Sequence, residues 1–97
     1  MSDTPDIANN RPLGVEIVST WIRFGKRSHR LKRRELCVVE TGVVLRRSNS
    51  VPALKAFITQ HGYSLMGERS VTEQWEAGNP NPTITDEGLK LEGFLRL

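Results

Sequence analysis

A chain of 97 residues, 37% hydrophobic and 26% charged, has the size and make-up of one ordinary globular domain, too short for two separate cores. Its 14 Lys and Arg exceed its 11 Asp and Glu by three, a mild lean toward polyanionic partners. The single cysteine, Cys37, excludes an internal disulfide, and no apolar run approaches membrane-spanning length.

Residues 1–12 are polar, contain Pro5 and Pro12 and lack apolar periodicity, so a flexible tail is expected there and a single domain over residues 13–97. Acids and prolines stand where a secretory leader would place a basic start and an apolar stretch. The expected location is therefore the cytoplasm or nucleoid, or the nucleus in a eukaryotic or viral setting. From Leu13 the run GVEIVSTWIRF is rich in β-branched and aromatic residues, and Val18, Thr20, Ile22 and Phe24 alternate with Ser19 and Arg23, which predicts a strand. Trp21 breaks strict alternation and marks a candidate bulge. Residues 36–40 and 43–47 predict two short strands joined at Thr41-Gly42, where glycine supplies the positive φ of a tight turn. Cys37 sits in the apolar LCVV run, so a buried, inert thiol is expected.

SVPALKAFITQHG reads as a helix over residues 51–61. Ser50 caps it, Pro52 fits the first turn, Leu54, Phe57, Ile58 and His61 share a face, and Gly62 ends it. Residues 63–66 and 71–75 predict two further strands with Gly67 in the turn between them. The AGNPNP stretch is a rigid polar loop. Leu89, Leu91, Leu95 and Leu97 alternate with Lys90, Glu92 and Arg96, the period of a half-buried strand, with Asp86-Glu87-Gly88 turning the chain back from Thr83-Ile84-Thr85. The competing helical reading must absorb Gly88 and Gly93 at about 1 kcal/mol each. The expected fold is a small α+β domain, an antiparallel sheet carrying one main helix. Of the aromatics Trp21, Phe24, Phe57, Tyr63, Trp75 and Phe94, most are expected in the core, with Trp21 and Tyr63 placed to stack on a base if exposed.

Charge is far from evenly spread. Residues 23–34 hold seven of the fourteen Lys and Arg and no acid, and residues 21–50 carry a net +7, leaving −4 for the rest. Mutual repulsion within such a cluster is relieved by water, counterions or a polyanion, and phosphates do so with release of condensed counterions. The candidate nucleic-acid-binding residues are Arg23, Lys26, Arg27, His29, Arg30, Lys32, Arg33, Arg34, Arg46 and Arg47, presented on the connection and strand ends between the first strand and the following hairpin. A solvated loop that merely confers solubility is the bland alternative, and a nuclear-import signal in KRSHRLKRR needs a eukaryotic setting.

No catalytic constellation accompanies the cluster. His29 and His61 have no spacing relation to Cys37 or to a carboxylate that suggests a triad or metal site, so no metal and no cofactor are expected. Glu73 with Glu76, and Asp86 with Glu87, are the nearest things to acid–base pairs, and nothing in the sequence desolvates them. Arg47-Ser48-Asn49-Ser50-Val51-Pro52 resembles a basic-directed kinase site and the R-S-x-S-x-P docking pattern of phosphoserine-reading adaptor proteins, although Ser50 already serves as a helix cap. Trp75-Glu76-Ala77-Gly78-Asn79-Pro80-Asn81-Pro82 resembles the W-E-x-G-x-x-x-P end of the recognition helix in repressor-type helix-turn-helix domains. That resemblance covers eight residues, and the stretch before it holds Gly67 and too little apolar periodicity for the preceding helix of that family, so no base-reading role is carried over.

Two readings follow. The first is a non-enzymatic nucleic-acid-binding protein, DNA or RNA, whose basic arm makes mainly phosphate contacts. The second is a small accessory or inhibitor protein that docks onto a larger partner through an acidic protein surface or an apolar patch, including a nucleic-acid-processing complex. No membrane association is expected, and an edge strand near the C-terminus offers a route to a homodimer.

Overall fold

The computed structural model describes residues 11–27 and 29–91. Five strands and one helix follow in the order β1 (Gly14–Phe24), β2 (Arg30–Val38), β3 (Val44–Arg47), α1 (Val51–His61), β4 (Ser64–Trp75) and β5 (Thr83–Leu91). They form one sheet with strand order β3-β2-β1-β4-β5 and the helix packed on one face, a small α+β domain as expected.

The sheet is mixed, which corrects the wholly antiparallel expectation. β1–β2, β2–β3 and β4–β5 are antiparallel, but the central pair β1–β4 is parallel over eleven registered residue pairs. Parallel neighbours cannot be joined by a tight turn and need a crossover, which α1 supplies by carrying the chain from β3 at one edge to the far side of β1.

Helix α1 is written locally. Ser50 Oγ accepts from the Ala53 amide at 3.2 Å, proline occupies the first turn, and Gly62 in the left-handed region (φ 68°) closes the C-terminus. Leu54 and Ile58 drop onto Val15, Ile17 and Leu36, with Leu45, Val51, Phe57, Tyr63 and Leu65 around them. Among the described residues no aromatic ring is fully buried: Phe57 and Tyr63 pack against the core, whereas Trp21, Phe24 and Trp75, also expected mostly in the core, lie outside it, because aliphatic side chains of β1 and β2 already fill the small space beneath two helical turns. An 11-residue helix spans about 16 Å and an 11-residue strand about 36 Å, so α1 covers one end of the sheet and leaves the other to be held by strand pairing and polar contacts.

Two local expectations are overturned. Gly67 is not a turn: the chain runs through it as the single strand β4, and the missing side chain lets β5 approach, since a Cβ at Gly67 would collide with the Lys90 carbonyl oxygen. Asp86-Glu87-Gly88 is likewise no reversal. It is an irregularity inside β5, where the partners of Arg69 and Val71 are Leu89 and Asp86, and the reversal falls earlier, in the loop after Trp75. Leu95, Leu97 and Phe94 lie outside the described residues, as does the expected tail apart from Arg11 and Pro12.

The Thr41-Gly42 turn forms as expected, with Gly42 at φ 77° donating to the Val38 carbonyl. The expected irregularity at Trp21 is also present. Thr20 pairs with Arg33 and Trp21 with Leu31, which leaves Lys32 as the extra residue of a bulge in β2.

Candidate nucleic-acid interface

The turn joining β1 to β2 lies at the end of the sheet that α1 does not cover. Gly25 (φ 55°) and an Arg27 amide bond to the Phe24 carbonyl at 2.9 Å reverse the chain. Contacts to β4 then brace the turn: the Gly25 amide donates to the Trp75 carbonyl at 3.0 Å, and Gln74 Nε2 donates to the Gly25 carbonyl at 2.9 Å. The basic tip is thus anchored on two strands. Lys26, Arg27, His29 and Arg30 are exposed on it, and none forms an ion pair among the described residues. Arg23, half-buried at the end of β1, has its Nε buried without a hydrogen-bond partner among the described residues.

The remaining predicted contacts lie elsewhere. Lys32, Arg33 and Arg34 belong to strand β2 rather than to a connection, because the β1–β2 hairpin pairs all the way to Ile22–Arg30 and Arg30, at the tip, is already the first residue of that strand. Arg33 and Arg47 flank the buried carboxylate of Glu35, Arg47 Nη2 at 2.7 Å and Arg33 Nε at 3.6 Å. Arg34 turns to the helix side, donating to Ser19 Oγ and to the Asn49 carbonyl, both at 2.9 Å, and so fastens the segment that enters α1. Arg46 lies over the Phe57 ring, 5.1 Å from its centre. The sequence run therefore splits between tip residues that face solvent and strand residues already engaged within the fold.

Lys32 is engaged most consequentially. Released by the bulge, its ammonium reaches across β1 to Glu73 on β4, 3.2 Å from each carboxylate oxygen. Glu73 Oε1 also accepts from Trp75 Nε1 at 3.2 Å, and the Trp75 ring stacks with Phe24, centroids 6.2 Å apart and planes 27° from parallel. Burial pushes the Glu73 carboxyl up, but hydrogen bonds from Lys32 and Trp75 and the charges of Lys32 and Arg33 outweigh it and hold the group below its ordinary range. Phe24 remains 53% exposed among the basic side chains of the tip.

Several other titratable groups are held in structural contacts. Arg69 bridges buried Glu16 (3.1 Å) and exposed Asp86 (3.0 Å). The Gly88 amide, acting against a smaller desolvation effect and with Arg69, holds the Asp86 carboxyl below its usual range. Glu87 pairs with Lys90 at 3.3 Å, and Glu76 accepts from Gln74 at 3.2 Å. Burial, with smaller contributions from Glu35 and Glu16, pushes the Cys37 thiol up. Among the described residues no group of three or more His, Cys, Asp or Glu is placed to hold a metal ion, and no helix is long and apolar enough to cross a membrane. Ser50 caps the helix, and Ser48 Oγ accepts from the Ser50 amide at 3.2 Å in the turn before it. Residues 75–82 form the end of β4 and a loop, not the helix of the repressor-type motif.

Comparison with protein-family models, with curated proteins and with solved structures finds no match to this chain. The charge pattern located the tip, but the Phe24–Trp75 pair was not legible in it: these rings are 51 residues apart in sequence, and only the parallel β1–β4 pairing brings them side by side.

Proposed function

We propose that this protein binds nucleic acid without catalysing its chemistry, through the tip of the β1–β2 hairpin, with Lys26, Arg27 and Arg30 contacting phosphates and Arg23 and His29 beside them. The observation that carries this reading is the division of the basic run. Lys32, Arg33 and Arg47 are paired with carboxylates, whereas the tip concentrates exposed cations that have no carboxylate partner among the described residues. An uncompensated cluster held on a braced turn is suited to a polyanion, and phosphate contacts of this kind orient the ligand without reading its sequence.

The test is fluorescence anisotropy with labelled oligonucleotides over a salt series, comparing the natural chain with the K26A/R27A/R30A variant. Binding should weaken steeply with salt, and the variant should lose affinity with a log–log salt slope shallower by about 2 to 3, one phosphate contact per lost cation. Absence of binding at low salt refutes the proposal.

A second reading, docking onto a protein partner, draws on a different feature. β5 is an edge strand on which Ile84 and Leu91 are 56% and 64% exposed. Association by that route should survive high salt and be insensitive to the triple substitution at the tip.

A further inference from the structure

We propose that the nucleic acid taken by this tip is single-stranded, its unpaired bases stacking on Phe24. This rests on the nucleic-acid reading above and adds an observation independent of charge. Phe24 is a large apolar ring left half in water at the end of β1, at the point where Lys26, Arg27 and Arg30 gather. Its orientation is supported from the neighbouring strand: Trp75 stacks with it, Glu73 fixes the Trp75 indole N–H, and Lys32 fixes Glu73. A chain of three contacts thus holds an exposed aromatic platform at a cationic tip, the combination by which single strands are bound with little sequence preference.

The surface beside the platform is concave. A depression of about 320 Å³ is lined by Ile22, Phe24, Arg27, His29 and Arg30. A second, of about 290 Å³, is lined by Trp21, His29, Ser70, Thr72 and Glu87. His29 borders both, but Trp21, three residues before Phe24 on β1, belongs to the opposite face of the sheet, so Phe24 is the stacking surface of this proposal. A two-stranded ribbon also fits the major groove of a duplex, but there the base faces are closed within the stack and Phe24 would meet none of them.

The experiment compares oligo-dT, oligo-U and a DNA duplex of the same length as anisotropy probes against the natural chain and F24A. Because Phe24 is half-exposed and outside the core, F24A should keep the natural far-UV circular dichroism. The natural chain should bind a single strand more tightly than the duplex, and F24A should lose about tenfold in single-strand affinity with its duplex affinity unchanged. The two single strands separate DNA from RNA as the preferred form. Duplex binding as tight as single-strand binding, or an F24A variant that holds single strands as well as the natural chain, overturns this inference while leaving the nucleic-acid reading standing. Failure to bind any of the three probes overturns both.

Discussion

Lys32 and Glu73 sit on strands that do not touch: β1 runs between β2 and β4, and Lys32 Nζ crosses over it to lie 3.2 Å from both oxygens of Glu73. The crossing depends on the bulge that leaves Lys32 without a partner on β1. It gives a basic residue of the charged run a structural task, that of holding the acceptor on which the Trp75 indole rests.

Replacing Lys32 by Ala should therefore act on stability and on the aromatic tip more than on phosphate contacts. The lysine is 37% exposed, so loss of the pair should cost only about 1 kcal/mol in urea denaturation. Tryptophan emission should change as Glu73 loses its countercharge. The salt slope of oligonucleotide binding should stay as in the natural chain, whereas Arg30→Ala should reduce it by about 1. Equal slopes for the two variants would remove the distinction drawn between tip and strand cations.

Stability should depend on pH at both extremes. Glu73 and Asp86 have folded pKa values below their ordinary values of 4.5 and 3.8. Their contribution is complete above those ordinary values and is lost as pH falls through the lower folded ones, because protons then bind first to the unfolded chain. Cys37 has the opposite sign: its folded pKa lies above the ordinary 9.0, so its contribution is complete below 9.0 and is lost as pH rises through the folded value. Urea midpoints followed across pH should fall at both ends, Glu73→Gln reducing the acid slope and Cys37→Ser the alkaline one.

Gly67→Ala should be costly although it adds one methyl group. That methyl would overlap the Lys90 carbonyl, whose carbon lies 2.9 Å from the added atom, with the Leu91 Cα at 3.1 Å. All of these are backbone atoms, so relief requires the two strands to separate. A loss of about 1 to 3 kcal/mol is expected, with faster amide exchange along residues 89–91. A natural-like denaturation midpoint would show that β5 approaches β4 less closely than the structure has it.

Some of this protein was determined by its sequence alone. The helix and its caps, the Thr41-Gly42 turn, the first strand and the position of the basic tip all depend on residues within a few positions of one another: Ser50 with Ala53, Gly62 with Ile58, Gly25 with Arg27. Local rules reach that far because each rests on one backbone geometry or one nearby hydrogen bond. What tertiary structure decided was which strands lie side by side beyond the hairpin at Thr41-Gly42. The parallel β1–β4 pair follows from a crossover between segments some fifty residues apart, and the continuity of β4 through Gly67 and the displaced reversal before β5 follow from how β4 packs against β5. Tertiary structure also decided the sorting of one run of like charges, in which Arg34 turns inward to Ser19, Lys32 reaches over to Glu73, and Lys26, Arg27 and Arg30 are left to solvent. Side chains that are identical in type and adjacent in sequence take different roles because alternate strand faces, one bulge and the reach of a short helix give each a different set of neighbours.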